Sequence, residues 1–266
     1  VSLELIPSRI TALVGESGSG KTTLGKAVMG LLPEDARVQG SIRLDQTELV
    51  GLPEPEYNAL RWSRVAMLFQ NGADNLNPVH RIVDQLAEPL IHKQGLAKTE
   101  ARKQVEQALQ DLDLDPVLGR RFPHELSGGE LQRCLLAMAF ILDPAMVILD
   151  EPTAALDAMS KGLMARIMSR ARAQGKALLL ITHDLDLAAR VADDVLILYL
   201  GQVMEILPAR DLFAQPDHPY TLALGRSYPG LNTRRDLGGI RGDAFYRVLH
   251  RHRERNGGVR PHSHIV

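Results

Sequence analysis

The octapeptide Gly-Glu-Ser-Gly-Ser-Gly-Lys-Thr at residues 15–22 leaves this chain few possible folds. Its spacing is that of a phosphate-binding loop, in which glycines bring backbone N–H groups close to phosphate oxygens and a lysine adds a mobile positive charge. An alternating apolar run at residues 10–14 precedes it, and a helical pattern at residues 21–32 follows. The motif requires this order of strand, loop and helix, so the context favours a phosphate site over a flexible Gly-Ser loop.

Each residue type in this loop has a chemical reason to be there. The three glycines permit positive φ and a close approach of phosphate to the backbone. Lys21 is suited to the β- and γ-phosphates, the Thr22 hydroxyl to Mg²⁺, and Thr23 to the α-phosphate. The predicted phosphate contacts are therefore Gly15, Ser17, Gly18, Ser19, Gly20, Lys21, Thr22 and Thr23.

Composition restricts the class of protein. With 266 residues, of which 45% are hydrophobic, the chain can bury one large α/β core or a core with an inserted subdomain. A formal net charge of -1 gives no overall field that attracts nucleic acid, so no nucleic-acid partner is expected. The single cysteine, Cys134, cannot form an internal disulfide, which is typical of a reducing compartment. The longest apolar runs have the length of strands, far below the ~20 residues that span a membrane.

Strand and helix patterns alternate along much of the chain. Alternation in residues 1–6 and the turn after it predict a hairpin that leads into the loop. Further strands are predicted at residues 41–44, 65–70, 146–149, 177–182, 195–200 and 202–206, and helices at residues 53–61, 126–142, 161–174 and 185–192. This order predicts an α/β fold, with a mostly parallel sheet, right-handed crossovers and a small antiparallel part.

One region has helical patterns only. Apolar positions recur at helical spacing from residue 81 to residue 112 and predict an all-helical insertion. We therefore divide the chain into an α/β core at residues 1–79 and 146–228, a helical subdomain at residues 80–145 and a C-terminal tail at residues 229–266. The tail is basic and lacks the spacing of a metal site, which favours a solvated, partly disordered segment; its histidines include His250, His252, His262 and His264.

Polar side chains follow three of the predicted strands. Asp150 and Glu151 come after the apolar run at residues 146–149, and we expect that strand to lie next to the one that precedes the phosphate loop. At that edge Asp150 is placed to ligate Mg²⁺ and Glu151 to hold the attacking water. His183 and Gln70 end two further strands, at the edge of a parallel sheet where ligands bind. The alternatives are helix caps for the carboxylates and satisfied loop residues for His183 and Gln70.

A second helix start also has the chemistry of an anion site. Ser127, Gly128 and Gly129 offer a hydroxyl, free N–H groups and the positive end of a helix dipole. Ser127 with Glu130 three residues later also forms a capping box. The same residues therefore also fit the alternative of an ordinary capped helix start that binds no anion. The chain therefore carries two candidate phosphate-binding helix ends that are far apart in sequence.

Together these motifs resemble the ATP-binding subunit of an ABC transporter. The resemblance covers residues 1–228, and its Leu-Ser-Gly-Gly element at residues 126–129 separates this family from other P-loop ATPases. It implies the P-loop ATPase fold, hydrolysis of ATP, and ATP and Mg²⁺ as cofactors. The motifs, in chain order, are residues 15–22, Gln70, residues 126–133, residues 147–151, Ala155-Leu156-Asp157 and His183.

The resemblance also implies a role for each motif residue. Mg²⁺ would be held by Thr22, Gln70 and Asp150, and the catalytic group would comprise Glu151 as the base, His183 as the switch histidine, Gln70 and Lys21. Asp157 would lie in a loop that contacts a second ATP-binding subunit. Ser127, Gly128 and Gly129 would cover the ATP that is held by the phosphate loop of that second subunit.

Two shorter patterns are similar to the peptide, nickel and opine importer branch of the family: Asn75-Leu76-Asn77-Pro78 and His218-Pro219-Tyr220-Thr221. This branch implies a peripheral subunit on the cytoplasmic face of the plasma membrane, which energises uptake of peptide, nickel or a related solute. Its partners would be an identical or different ATP-binding subunit, membrane permease subunits and, indirectly, a solute-binding protein. The alternative is a non-transport ABC ATPase that acts on nucleic acid or ribosomes.

Two further expectations follow from the family pattern. The chain begins at Val1 rather than Met, and the family carries an adenine-stacking aromatic residue on a strand upstream of the loop, whereas residues 1–14 contain none. We therefore expect a missing start and weaker adenine binding, unless Tyr57 or Trp62 takes that position. Residues 71–79 are rich in turn formers, and we expect them to border the permease together with the helical insertion.

Overall fold

A six-stranded sheet forms the centre of this computed structural model, which describes residues 1–154 and 156–227. Five neighbouring strands pair in parallel, and the sixth runs antiparallel at one edge. The mostly parallel α/β sheet is therefore confirmed, while Ala155 and the predicted tail at residues 229–266 lie outside the described residues. In spatial order the strands are β4 (Val65–Leu68), β5 (Met146–Asp150), β6 (Ala177–Thr182), β1 (Ile10–Val14), β7 (Asp194–Tyr199) and β8 (Gln202–Pro208).

Helices cover both faces of the sheet, which explains why its central strands are continuously apolar. In β5, Val147 and Leu149 belong to one apolar cluster and Ile148 to another, because alternate side chains point to opposite faces. Gly25, in the helix that follows the phosphate loop, packs directly on the second face, next to Ile148 and Ile181. The helices of this α/β part are α1 (Lys21–Val28), α2 (Glu54–Leu60), α6 (Ala158–Ala173), α7 (Leu185–Val191) and α8 (Pro219–Ser227).

The predicted helical insertion is present as α3 (Ile82–Gln94), α4 (Lys98–Asp111) and α5 (Gly128–Phe140). Its inward residues include Leu86 and Leu136, which are fully buried in the same apolar cluster as the sheet residues Val147 and Leu149. The helical region thus shares a core with the sheet, and the division into a core and a subdomain stays a prediction. In the described part of the chain, no helix is both long and apolar enough to cross a bilayer.

Cys134 lies in α5 with its side chain completely buried. Burial raises the pKa of its thiol to about 12, because the thiolate would lose its hydration among apolar neighbours. The thiol is therefore protonated at neutral pH and behaves as a small apolar side chain.

The predicted N-terminal hairpin is wrong. Residues 1–9 form no strand, although Leu3 and Leu5 pack against one face of the sheet. The physical reason is that both edges of β1 are already hydrogen-bonded, to β6 and to β7, so no edge of β1 is free for a preceding strand. A short hairpin forms later instead, where β2 (Arg43–Leu44) pairs with β3 (Thr47–Glu48).

Candidate nucleotide-binding site

The loop between β1 and α1 has the backbone geometry that the sequence pattern predicts. Gly18 and Gly20 adopt φ values of 78° and 101°, which a residue with a side chain adopts only with strain. Gly15 is required for another reason, since a β-carbon at this position would lie 2.1 Å from the Leu198 carbonyl oxygen of β7. The loop is therefore fitted closely to the neighbouring strand as well as bent.

Lys21 is held inside this loop. Its side chain is largely buried, with the residue 8% exposed, and Nζ donates hydrogen bonds to the carbonyl oxygens of Gly15 at 2.8 Å and Glu16 at 2.9 Å. Burial lowers the pKa of Lys21, while the negative charges of Glu151, Asp150 and Glu16 act in the opposite direction. The ammonium group thus lies within the field of the two carboxylates that end β5.

Asp150 ends β5 as predicted, but the expected position of its strand is wrong. β6 lies between β5 and β1, so the strand with Asp150 is not the neighbour of the strand that precedes the loop. Asp150 nevertheless reaches the start of α1, because the carboxyl ends of parallel strands share one edge and Thr22 lies close to its carboxylate.

The surroundings of the Asp150 carboxylate fit a bound cation. The residue is 1% exposed, and neither carboxylate oxygen has a hydrogen-bond partner among the described residues. Burial raises the pKa of Asp150; the Thr22 hydroxyl is near enough to oppose this rise but does not meet the geometry of a hydrogen bond. A buried carboxylate without a partner is costly, and a cation such as Mg²⁺ held with Thr22 would remove that cost.

Glu151 is fixed by contacts that converge from the end of β6. Its backbone has φ of 50° and its N–H donates to the Ile181 carbonyl oxygen at 2.9 Å. One carboxylate oxygen lies 2.8 Å from Nδ1 of His183, and the other accepts a hydrogen bond from the Thr182 hydroxyl at 3.3 Å. The buried carboxylate is therefore aimed from two sides, whereas the His183 side chain is 71% exposed.

Thr182 is a site residue that the sequence analysis missed. Its hydroxyl accepts a hydrogen bond from the Asp184 backbone N–H at 3.0 Å, which directs its own proton toward Glu151. Asp184 in turn forms an ion pair with Lys161 at 2.7 Å. The available signal was position, because Thr182 ends a predicted strand immediately before His183.

Gln70 lies where the sequence predicts, just beyond β4. It lines a cavity of about 740 Å³ together with Thr22 and Asp150, so all three predicted metal ligands face one space. Trp62 lines the same cavity, while Tyr57 is buried and its ring is covered by Gly30 and the Arg61 guanidinium. Of the two alternative adenine partners, Trp62 is thus the one that lines this cavity.

The second predicted helix end is exposed and internally capped. The Ser127 hydroxyl accepts from the Glu130 backbone N–H at 3.3 Å, while the Ser127 backbone N–H donates to the Glu130 carboxylate at 2.8 Å. The hydrogen bonds from Ser127 lower the pKa of Glu130. Ser127, Gly128 and Gly129 do not line the cavity next to Thr22 and Asp150, so the described residues do not bring the two helix ends together.

The start of α6 lies beside this second helix end. A β-carbon on Gly129 would lie 2.9 Å from the hydroxyl of Ser160, and Asp157 caps α6 by accepting from the Ser160 backbone N–H at 2.8 Å. Asp157 and the Leu-Ser-Gly-Gly element therefore belong to one surface of the chain.

Comparison with family models gives two matches. The model described as ABC transporter matches residues 1–154, and the model described as oligopeptide/dipeptide transporter, C-terminal region, matches residues 204–251. The second match contains the His-Pro-Tyr-Thr pattern, so the predicted resemblance to the peptide importer branch is confirmed.

Curated relatives carry names of the same kind. The chain is 41% identical to the oligopeptide transport ATP-binding protein OppD of Mycobacterium tuberculosis, over 87% of this chain and 39% of the relative. It is 39% identical to OppD of Salmonella typhimurium, over 83% of this chain and 67% of the relative. It is 40% identical to the di/tripeptide transport ATP-binding protein DppF of Pseudomonas aeruginosa, over 87% of this chain and 71% of the relative.

Solved structures share the fold. The dimeric structure of the bacterial ABC transporter cassette MJ0796 matches with a TM-score of 0.71 and 27% identity, over 79% of this chain and 89% of that one. A post-hydrolysis dimer of the same cassette, bound to ADP and Pi, matches with a TM-score of 0.71 and 26% identity. This match also covers 79% of this chain and 89% of that one.

Proposed function

The chain belongs to the ABC transporter family, and on that premise we propose that it hydrolyses ATP to energise the uptake of peptides through a separate membrane permease. The observation that carries the ATPase is the Glu151 carboxylate, which is held by Thr182 and His183 next to Asp150 and the phosphate loop. The relatives named for oligopeptide and di/tripeptide transport favour peptide over nickel as the cargo.

Phosphate binding is assigned to the loop and the start of α1. Backbone N–H groups of residues 15–23 would bind the phosphate oxygens, with the hydroxyls of Ser17, Ser19 and Thr23 as further donors. Lys21 would exchange its two carbonyl acceptors for the β- and γ-phosphates. Its buried position next to two carboxylates keeps its charge directed at the place where negative charge develops during phosphoryl transfer.

Metal binding is assigned to Thr22, Gln70 and Asp150. The Asp150 carboxylate and the Thr22 hydroxyl supply oxygen ligands of the kind that Mg²⁺ prefers, and phosphate and water would complete its coordination. When bound, Mg²⁺ would neutralise charge on the β- and γ-phosphates.

Water activation is assigned to Glu151. Because Thr182 donates to one carboxylate oxygen and His183 lies at the other, the carboxylate holds one orientation toward the loop. It would orient the attacking water and accept its proton. His183, exposed on its outer side, would hold the γ-phosphate side of the site.

The second anion-binding end is assigned to a second ATP-binding subunit. Ser127, Gly128 and Gly129 would cover the nucleotide bound by the partner's loop, and Asp157 would lie in the same contact. The dimeric form of the MJ0796 cassette supports this arrangement. The partner would be an identical or a related chain.

The membrane partners would be permease subunits, contacted from the cytoplasmic face of the plasma membrane, and indirectly a solute-binding protein. We assign the permease contact to residues 71–79 and the helical region. A non-transport ATPase acting on nucleic acid is disfavoured by the match to an oligopeptide/dipeptide transporter region. The chain spans 39% of the length of the mycobacterial relative and 67% of that of the Salmonella relative.

Uptake by the reconstituted complex tests the proposal. The chain, assembled with its permease in vesicles, should accumulate a labelled peptide only with MgATP, and Glu151→Gln should abolish this uptake. Accumulation of Ni²⁺ but not peptide would overturn the cargo. An absence of ATP hydrolysis in the assembled complex would overturn the proposed function as a whole.

A further inference from the structure

The first turn of α6 lies between the surface assigned to the second subunit and the end of β6. Asp157 fixes this turn: its carboxylate accepts from the Ser160 backbone N–H at 2.8 Å, and its carbonyl oxygen accepts from the Lys161 backbone N–H at 2.9 Å. The Ser160 hydroxyl lies against Gly129, where an added β-carbon would come within 2.9 Å of it. Lys161 therefore extends from a turn that belongs to the Leu-Ser-Gly-Gly surface.

The Lys161 side chain reaches from this turn to the start of α7. Its Nζ donates to Oδ2 of Asp184 at 2.7 Å. Asp184 is buried, and its Oδ1 accepts from the Leu187 backbone N–H at 2.9 Å as the N-cap of α7. One carboxylate thus joins two helices, with an ion pair on one oxygen and a helix cap on the other.

The backbone of Asp184 extends this connection to the catalytic carboxylate. Its N–H donates to the Thr182 hydroxyl at 3.0 Å, and that hydroxyl donates to the Glu151 carboxylate at 3.3 Å. Because one lone pair of the hydroxyl oxygen is taken by the Asp184 N–H, the hydroxyl proton is directed toward Glu151. A displacement of Asp184 would therefore turn this donor away from the carboxylate.

An ion pair at the other end of the same helix provides a comparison. Arg172, in the last turn of α6, lies 3.1 Å from Asp193, and its side chain is 37% exposed, against 41% for Lys161. Asp193 also accepts from the Ile10 backbone N–H at 2.8 Å, at the first residue of β1. The two pairs are alike in kind, but the Arg172 pair lies at the edge of the sheet opposite to Glu151.

We propose that Lys161 is a positioning residue that holds the orientation of the Glu151 carboxylate from the start of α6, through Asp184 and Thr182. This rests on the proposed ATP hydrolysis, which it deepens. The same turn carries Asp157, so a second subunit that contacts this turn would affect the orientation of the base. The phosphate loop does not depend on this route, because it is backed by the end of β7.

Lys161→Met tests this, since it keeps an unbranched side chain and removes the charge. At saturating MgATP, kcat should fall roughly threefold to fivefold, the effect of one lost ion pair, while affinity for MgATP stays within about twofold. Lys161→Arg keeps the charge and should restore kcat, and Arg172→Met is the matched control that should leave kcat unchanged. Unchanged kcat in Lys161→Met, or an equal loss in Arg172→Met, would overturn the proposal.

Double-mutant cycles test the route. In a Thr182→Val chain, adding Lys161→Met should lower kcat no further, because the hydroxyl through which Lys161 acts is already absent. The same holds in an Asp184→Asn chain, whose amide oxygen can keep the cap of α7 while the ion pair is lost. Additive losses in either cycle would show that Lys161 acts by another route and would overturn the proposal.

Hydrogen exchange of the chain without nucleotide separates this restraint from the proposed function. The Asp184 backbone amide, which donates to the Thr182 hydroxyl, should exchange faster in Lys161→Met than in the wild type or Arg172→Met. Faster exchange in Lys161→Met, together with a wild type that hydrolyses no ATP, would overturn the proposed function and keep the restraint. Equal exchange rates in a chain that does hydrolyse ATP would overturn the restraint alone.

Discussion

The starts of α1 and α5 look alike in sequence and differ in how they are completed. The described residues provide no side-chain cap for α1, whose N-cap residue is Gly20 and whose start depends on β7, β5 and a buried lysine. The start of α5 is capped by Ser127 and Glu130, and Ser127 and Gly128 are exposed. The first end is built by long-range contacts and leaves its N–H groups for a ligand. The second holds its shape by itself and presents its glycines outward, as a surface that another chain can cover.

The largest expected effect separates chemistry from binding at the α1 end. Glu151→Gln keeps the size of the side chain and should lower steady-state ATPase activity at least about 10²-fold, the contribution of a positioned base. Binding of MgATP should persist, because the loop and Lys21 are untouched. Turnover and nucleotide affinity are measured on the same preparation, with the exposed Glu34→Gln as the matched control. An unchanged turnover rate would remove Glu151 from its assigned role.

Mixing two inactive variants tests whether the two ends act on one nucleotide across two chains. Lys21→Ala damages the α1 end and Ser127→Arg the α5 end, so each variant alone should be inactive. In an equimolar mixture, half of the dimers combine one intact end of each kind, and roughly a quarter of the wild-type sites should recover. No recovery, together with activity per chain that is constant on dilution, would place both ends in the same molecule.

A smaller loss of kcat is expected from a change in Thr182 of β6, which supports the Glu151 carboxylate at the α1 end. Thr182→Val removes the hydroxyl that directs the Glu151 carboxylate, and kcat should fall roughly tenfold, as expected for the loss of about 1.4 kcal/mol from a hydrogen bond to a charged group. Affinity for MgATP should stay unchanged. Thr182→Ser should restore kcat, and Thr99→Val, an exposed change on α4, should have no effect. A loss of affinity instead of kcat would contradict the role of Thr182.

The smallest expected effects are on the free energy of unfolding, and they should have opposite signs for Asp150, at the α1 end, and Glu130, at the α5 end. Burial raises the folded-state pKa of Asp150, so ionisation of this carboxyl group destabilises the fold at pH values above that pKa. Below the pKa of the unfolded state the group is protonated in both states, and the destabilisation is absent. The folded-state pKa of Glu130 is lowered, so its ionised cap stabilises the fold at pH values above the unfolded-state pKa. This stabilisation is lost as the pH falls through the folded-state pKa. At neutral pH without nucleotide, Asp150→Asn should therefore be more stable than wild type and Glu130→Gln less stable, each by about 1 kcal/mol.

Urea unfolding between about pH 7 and about pH 4 measures both differences, and each should shrink as the pH falls toward the unfolded pKa of the carboxyl group. A destabilised Asp150→Asn at neutral pH would mean that the carboxylate is satisfied without a cation. A difference for Glu130→Gln that grows in acid would contradict its role in the cap.

Cysteine cross-linking tests the surface at residues 71–79, which is assigned to the permease contact. Val79 is 73% exposed at the end of the segment assigned to the permease, so a cysteine there should capture a membrane subunit. A cysteine at the exposed Leu222 of α8 is the matched control and should not. Capture from Leu222 alone would move the permease contact to the other end of the chain.

Local patterns were enough to predict the loop, the apolar strands and the polar residues that follow them, because each depends on neighbours in sequence. Gln70, Asp150 and His183 all lie at the predicted edge for this reason. Strand order was not predictable, since β1, β5 and β6 are equally apolar and nothing in their own residues decides which two are adjacent. The alternation in residues 1–6 imitated a strand, and only the occupied edges of β1 exclude the hairpin.

Contacts between distant segments explain the other misses. Gly15 is needed because of Leu198, far along the chain, and the Tyr220 ring packs on Tyr199 only once β8 has turned back along β7. The hydroxyl of Thr182 gains its importance from the position of Glu151, directly after the neighbouring strand β5. None of these partners has a spacing that a local motif records.

The burial of Cys134 has a practical consequence for all of these measurements. Thiol reagents attack thiolates, and a cysteine whose pKa is about 12 offers almost none at neutral pH and no access from solvent. Since it is the only cysteine in the sequence, any cysteine introduced on the surface becomes the single reactive position. The native chain can therefore carry a fluorophore, a spin label or a cross-linker at one chosen site, with no background substitution needed beforehand.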